Sequence, residues 1–426
     1  MLAVVEYYLV PYGLVLGATT QQIGFLVAVP HLLASISQLF AVRAVRCVGG
    51  RLDFLVRAAS LQAAFLLPLA LLALKPFPGQ IEALIVLTVL FRVLNSLIAT
   101  AWGSLVSDYL PTDKRGTYFG WRSQVAGMAS VAGMGLAGIV LFLMKKVFPA
   151  LGFLLVFLSA SLCRFVSASL LSKMVDLPLP LSPDQGISLR LFLRHFKESP
   201  LGRFILYVSG MLFVTFLAAP YFSVFMLRDL QFNYLNYVCV HLAAVVAGVV
   251  SYPIWGRHAD LVGNARILKA TGATIPLIPL LWLFSHSLLY LVFVEAFSGF
   301  VWGGFMLCAT NFIYDSVHPE GRVKSLGTFN LMNGVAIFAG ASLGGALTAH
   351  LPPFRGFSLL TLFALSGGFR LAVHLFLSGR FQEVRDTVKA VSRRQLFLSV
   401  VGIRPLTGLD RHFRGLPSVK EVSSEM

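Results

Sequence analysis

Apolar residues run along this chain in long blocks, separated by short polar, proline-bearing or arginine-bearing stretches. Twelve such blocks stand out, at about residues 1–17, 20–42, 54–74, 81–109, 118–144, 149–172, 201–227, 234–256, 267–285, 288–316, 325–350 and 357–378. An apolar run of roughly 18 residues or more, rising 1.5 Å per residue as a helix, is long enough to cross a bilayer core of about 30 Å. The pattern predicts an all-α membrane protein with twelve transmembrane helices. The first block is slightly short for a crossing and has no basic region before it, so it makes a poor signal peptide. Either the start lies upstream, or this helix begins abruptly at the cytoplasmic face.

Composition agrees. The chain is 57% hydrophobic and 12% charged, where soluble domains carry about 25% charged residues. The net charge of +16 would suit nucleic acid, but its placement points elsewhere. Connections rich in Lys and Arg (Arg43, Arg46, Arg51 and Arg57; Lys114, Arg115 and Arg122; Lys173 to Arg203; Arg257, Arg266 and Lys269; Arg322 and Lys324) alternate with poor ones holding only Lys75, Lys145 with Lys146, Arg228 and Arg355. That alternation follows the positive-inside rule, so the charge orients the protein in a cell (inner) membrane with both termini cytoplasmic, and no nucleic-acid partner is expected. The longest internal connection, 173–200, is proline-rich and basic and reads as a cytoplasmic linker. The predicted organisation is an N-terminal six-helix bundle (1–172), the linker (173–200), a C-terminal six-helix bundle (201–378) and a basic cytoplasmic tail (379–426). The tail's one apolar stretch, 396–403, suits either an interfacial helix or a disordered segment.

The two bundles repeat one another. A shift of 207 residues carries Asp108 onto Asp315, Asp113 onto Glu320 and Arg115 onto Arg322, and then Gly120, Gly127, Gly133 and Gly138 onto Gly327, Gly334, Gly340 and Gly345. A shift of 206 carries Arg164 onto Arg370. Parallel duplication of a six-helix unit is a known transporter architecture.

On these residues the chain resembles the major facilitator superfamily. The loop Asp108-x-x-Pro111-x-x-x-Arg115-Gly116 is similar to that superfamily's D/E-x-x-P-x-x-x-R-G loop, and Gly256, Asp260, Gly263 and Arg266 match its G-x-x-x-D-x-x-G-x-x-R signature. The first-half counterpart is degraded: Arg43, Gly49 and Arg51 survive, but Arg46 replaces the acid, and a shift of 214 fits the glycine better than 207. The resemblance implies two pseudo-symmetric six-helix bundles, with spans one, four, seven and ten lining a central cavity. The fifth span has no proline between 125 and 143, whereas related proton-driven drug exporters usually carry a Gly-Pro pair there.

Two sets of charges follow as candidates. Asp108, Arg115, Asp260, Arg266, Asp315 and Arg322 lie at the basic ends of helices, where they either bridge the halves as a cytoplasmic gate or pin each loop within its own half. Exposed pairs are worth under about 1 kcal/mol each, so only a cluster would tip a balanced equilibrium. Charges within spans default to function. Glu6 and Arg92 each lie eleven residues from the outer ends of the first and fourth spans, which places both at the same depth as a buried pair. Arg92, Asn95 and Ser96 share one helical face, and the run resembles the superfamily's fourth-span R-x-x-Q-G signature, which is linked to proton coupling. An acid paired with Arg stays ionised and protonates when the Arg leaves; coupling, direct substrate contact and a structural pair all remain open here. Glu295, with Trp302 further along the tenth span, is a candidate substrate contact from the second half or faces the outer vestibule. Arg164 and Arg370 read as anchors snorkelling toward the cytoplasmic interface, and His31, His241 and His374 as packing residues. Tyr7, Tyr8, Tyr207 and Tyr221 suit either stacking on a substrate or packing.

The four cysteines have no metal-ligand spacing, no P-loop or catalytic constellation is legible, and no cofactor or metal is expected. The expectation is a monomeric secondary transporter, not an enzyme. It would move a small organic solute by alternating access with proton coupling, uptake and export both open. The alternative is a non-transporting membrane receptor or assembly protein on the same scaffold.

Overall fold

The structure, a computed structural model, describes residues 1–109, 115–145, 148–176, 199–317 and 322–384, without the side chains of 115–117, 119, 120 and 322–324. Pro111, Asp113, Glu320, most of the linker and the apolar stretch of the tail lie outside the described residues. The first half consists of α1 (Leu2–Val15), α2 (Thr20–Gln38), α3 (Ala41–Val48), α4 (Arg51–Leu71), α5 (Gln80–Tyr109), α6 (Arg115–Met144) and α7 (Pro149–Leu171). The second consists of α8 (Pro200–Phe216), α9 (Ala219–Val224) running into a π-turn (Phe225–Asp229), α10 (Tyr234–Val262), α11 (Asn264–Thr274), α12 (Leu277–Leu281), α13 (Leu288–Ser316), α14 (Arg322–Leu347) and α15 (Ser358–Leu377). Among the described residues the only β feature is an isolated bridge between Phe354 and Phe357.

Each of the twelve apolar blocks is helical, but not every block is one long helix. Among the described residues nine helices are long and apolar enough to cross alone, and α2 with α3, bent by 67°, makes a tenth if the pair is one span. The first block is the 14-residue α1. The ninth block breaks into α11 and α12 where Pro276 and Pro279 remove backbone donors. α3 turns away because its apolar face is short: Ala41 and Val45 are buried while Arg43 and Arg46 are exposed.

Helix α4 packs on α5 and α7, and α2 on α5; α8 packs on α14 and α15, and α10 on α13. The halves meet along α2 with α14 and α6 with α10, and through α9 against α1 and α2. Glycine permits the closest approaches, as membrane helices require. A Cβ on Gly24 would lie 2.7 Å from the Ala341 carbonyl oxygen, and one on Gly138 would lie 2.7 Å from a Val238 methyl group.

Buried side chains fall into three clusters. One, running from Val4 and Leu66 through Phe157 to Trp282 and Phe363, draws on both halves and lies toward the poorly charged end. The other two lie toward the basic end and are separate: one from Val45 to Ala168, the other from Phe204 to Phe381. The halves therefore share a core at one end only.

Candidate functional site

Glu6 on α1 and Arg92 on α5 come together between the helices. Arg92 Nη1 lies 3.3 Å from Glu6 Oε1, the arginine side chain being 21% exposed and the carboxylate 39%. The same Nη1 lies 3.3 Å from Nε2 of His31 on α2. His31 Nδ1 lies 2.8 Å from the Val27 carbonyl oxygen, so the ring proton belongs on Nδ1, and Nε2 presents its lone pair to the guanidinium. One nitrogen thus donates to a carboxylate and an imidazole at once. Placing an arginine at the centre of a spanning helix costs about 2.5–3.5 kcal/mol on insertion scales, and here the guanidinium has two acceptors. Ser96, one turn along α5 from Arg92, donates its hydroxyl to the Ala34 carbonyl at 2.9 Å and fixes α5 on α2. Asn95 is half-buried beside it.

The second half approaches through Tyr7, the residue after Glu6. Its carbonyl accepts the Tyr237 hydroxyl at 2.7 Å. That hydroxyl lies 3.2 Å from Ser223 Oγ, which lies 3.4 Å from His241 Nε2. The Tyr7 and Tyr237 rings meet His241 at centroid distances of 5.3 and 4.5 Å. Glu295 is half-buried on α13. Trp302 packs instead in the second-half cluster toward the basic end, edge-on to Phe305 at 5.4 Å.

Arg370 differs from the snorkelling expectation. It is 1% exposed, with Nε 3.1 Å from Ser366 Oγ, Nη1 3.4 Å from the Ile275 carbonyl oxygen and Nη2 3.5 Å from that of Thr215. The Ile275 carbonyl, whose helical i+4 residue is Pro279, accepts the Ile278 N–H at 3.2 Å, and the guanidinium adds a second donor where α11 and α12 part. Its repeat partner Arg164 is half-buried, 3.5 Å from Ser167 Oγ. Three tyrosines are pegs rather than platforms: the Tyr8 hydroxyl donates to Met134 O, that of Tyr221 to Ala341 O, and that of Tyr207 lies 3.0 Å from His374 Nδ1.

At the basic end Asp108 and Asp315 each have a partner within their own half. Asp108 accepts from Arg51 at 2.6 Å, the guanidinium being almost fully buried and also 2.9 Å from Ser104 Oγ. Asp315 accepts from Asn264 Nδ2 at 2.7 Å. Asp260 is exposed and Arg266 half-buried, on either side of Gly263. Arg115 and Arg322 open α6 and α14, and their side chains lie outside the described residues.

A second symmetry joins each loop to its bundle's end. The Leu52 N–H at the start of α4 donates to Asp176 Oδ1 at 3.3 Å, and the Ala265 N–H at the start of α11 donates to Glu383 Oε2 at 2.8 Å. Both acids follow the sixth helical block of their half, and each faces a helix N-terminus, where negative charge is favoured. They lie 207 residues apart, the spacing of Asp108 and Asp315, so the repeat carried a signal for them. His31 and His241 gave none beyond being histidines. Among the described residues no group of three or more His, Cys, Asp or Glu side chains is placed to hold a metal.

Comparison with known proteins agrees with this architecture. The family model described as Major Facilitator Superfamily matches residues 3–340 and 240–416. The chain is 30% identical over 130 residues to an uncharacterized MFS-type transporter, YddS, of Bacillus subtilis, covering 30% of this chain and 28% of that protein. It is 28% identical over 167 residues to the multi-drug resistance efflux pump PmrA of Streptococcus pneumoniae, covering 38% of this chain and 40% of the pump. These matches thus span well under half the length of either relative. Among solved structures, a mutant form of the nucleoside transporter NupG superposes with a TM-score of 0.71 at 12% identity, covering 89% of this chain and 96% of that one. A D-xylose-proton symporter superposes at 0.67 and 14% identity, covering 86% and 89%. A multi-pass membrane protein of duplicated helical design, with profile matches along nearly its whole length, the chain belongs to the Major Facilitator Superfamily.

Proposed function

We propose that this protein is a secondary transporter that moves a small organic solute by alternating access, with Glu6 as the group that couples transport to protons. The observation that carries the reading is Arg92 Nη1 held between Glu6 and His31, Glu6 and Arg92 standing on two of the spans that the family resemblance assigns to the cavity. Arg92 gives Glu6 an ion-pair partner. A solute or helix movement that draws Arg92 onto His31 alone would take that partner away, and a carboxyl that loses its neighbouring cation takes up a proton more readily. Ser223 and Glu295 add polar groups from the second half, on the helices that complete the cavity. We place the basic end in the cytoplasm of an inner-membrane protein with both termini inside, on the charge alternation. The protein works as a monomer of two bundles, 1–172 and 201–378.

The relatives' names suggest solutes to try: drugs, nucleosides and D-xylose. The fifth span lacks the proline usual in proton-driven drug exporters, which counts against drugs. Proteoliposomes holding a pH-sensitive dye are exposed to each solute in turn. Wild-type protein will move protons with one class, and Glu6→Gln will transport without the pH dependence. An unchanged pH profile in Glu6→Gln would remove Glu6 from the mechanism. Binding without flux under any gradient would favour the receptor alternative.

A further inference from the structure

We propose that Tyr237 is a positioning residue of the transport cycle: its hydroxyl occupies the Tyr7 carbonyl that Pro11 leaves without a donor, and so ties closure of the poorly charged end to the Glu6–Arg92 pair. In an α-helix the carbonyl of residue i accepts from the N–H of residue i+4. For Tyr7 that residue is Pro11, which has no N–H, yet α1 stays helical from Leu2 to Val15. The missing donor arrives from the other half of the molecule, as the Tyr237 hydroxyl at 2.7 Å.

A buried carbonyl must be paired, and here its pairing depends on the halves being together. Tyr237 is 1% exposed within the core that both halves share, so water does not substitute while that end is closed. When the halves part there, the Tyr7 carbonyl loses its donor and the turn preceding Pro11 loses its outside support. Glu6 lies on that turn. Its distance from Arg92, which α2 holds through His31, therefore depends on whether Tyr237 is docked. The charged and titratable groups facing this turn are Arg92 from α5, His31 from α2 through Arg92, Tyr237, His241 and Tyr252 from α10, and Glu295 from α13. From α6 it meets a backbone carbonyl, that of Met134, through Tyr8. The inference rests on the coupling role of Glu6 proposed above; without that role, Tyr237 would close one end without acting on protonation.

The test needs no substrate. Thr20 and Arg228 touch across the halves at the poorly charged end, with Nη1 2.9 Å from Oγ1. Cysteines at these two positions of the full-length protein in liposomes, treated with a short bismaleimide, report closure as the 20–228 cross-linked peptide. Tyr237→Phe will lower the yield about two- to tenfold, the effect of one hydrogen bond, and will flatten its response to pH. Pro11→Ala, which restores an N–H that competes for the Tyr7 carbonyl, will lower the yield too, and adding Tyr237→Phe to it will change nothing further. A wild-type yield in Tyr237→Phe, or a second fall of equal size in the double variant, overturns the proposal. A pH response kept in Glu6→Gln contradicts the coupling reading itself. One lost in Glu6→Gln but kept in Tyr237→Phe contradicts only the positioning role.

Discussion

Arg92 and Arg370 both carry a guanidinium within a membrane span and partner it in different ways. Arg92 has a carboxylate and an imidazole as partners, an arrangement that can change when a proton arrives. Arg370 has a serine hydroxyl and two backbone carbonyls, none of which titrates. The first is suited to switching and the second to holding a broken helix pair together. Replacing Arg370 with Met will remove its hydrogen bonds to Ser366 and to the Ile275 and Thr215 carbonyls and lower stability by about 1–3 kcal/mol. That loss will read as a lower thermal midpoint of the purified protein, and an unchanged midpoint would contradict the clasp. Depth arithmetic along two helices is enough to bring Glu6 and Arg92 together from the sequence. Arg370 reads there as a snorkelling anchor because hydropathy does not reveal the helix breaks beside its carbonyl partners. Pro279, four residues after Ile275, and Pro11, four after Tyr7, are the available signals; a proline at i+4 marks a carbonyl that has lost its helical i+4 donor.

At the scale of elements, the two basic-end loops share one construction. Each begins with a left-handed glycine, Gly49 at φ +100° and Gly263 at φ +88°, and the following helix receives a carboxylate from the segment that ends its own bundle. Asp176→Asn and Glu383→Gln will each cost about 0.5–2 kcal/mol, the range of a lost helix cap. Since the two sites belong to different halves, their effects on the thermal midpoint will add. A marked departure from additivity would mean that the basic ends are coupled to one another. The loop signature around Arg51 is legible but degraded, and the structure accounts for what survives. Arg51 carries the pair with Asp108 that Asn264 makes with Asp315, the polar partner being ionic in one half and neutral in the other. Sequence leaves open whether these acids bridge the halves or pin their loops; the Arg51–Asp108 and Asn264–Asp315 contacts each lie within one half. Apolar runs predict the helical blocks, while the bend after Gln38 and the break after Thr274 depend on local proline and tertiary packing.

Across the whole molecule, the division of the buried core has the most direct functional bearing. A packed interface is bistable rather than elastic, and this one is continuous across the halves at the poorly charged end and divided at the basic end. Such a division is what one state of a rocking pair of bundles requires, with the opposite state closing the basic end in turn. Spin labels placed across the halves at 20 and 228, and in a second sample at 107 and 314, measure the two ends separately by pulsed electron resonance in liposomes at acidic and alkaline pH. Alternating access predicts reciprocal change: the proportion of molecules with a lengthened 20–228 distance will rise with the proportion having a shortened 107–314 distance, and Glu6→Gln will abolish the dependence on pH. Distances that stay fixed, or that lengthen together at both ends, would contradict it.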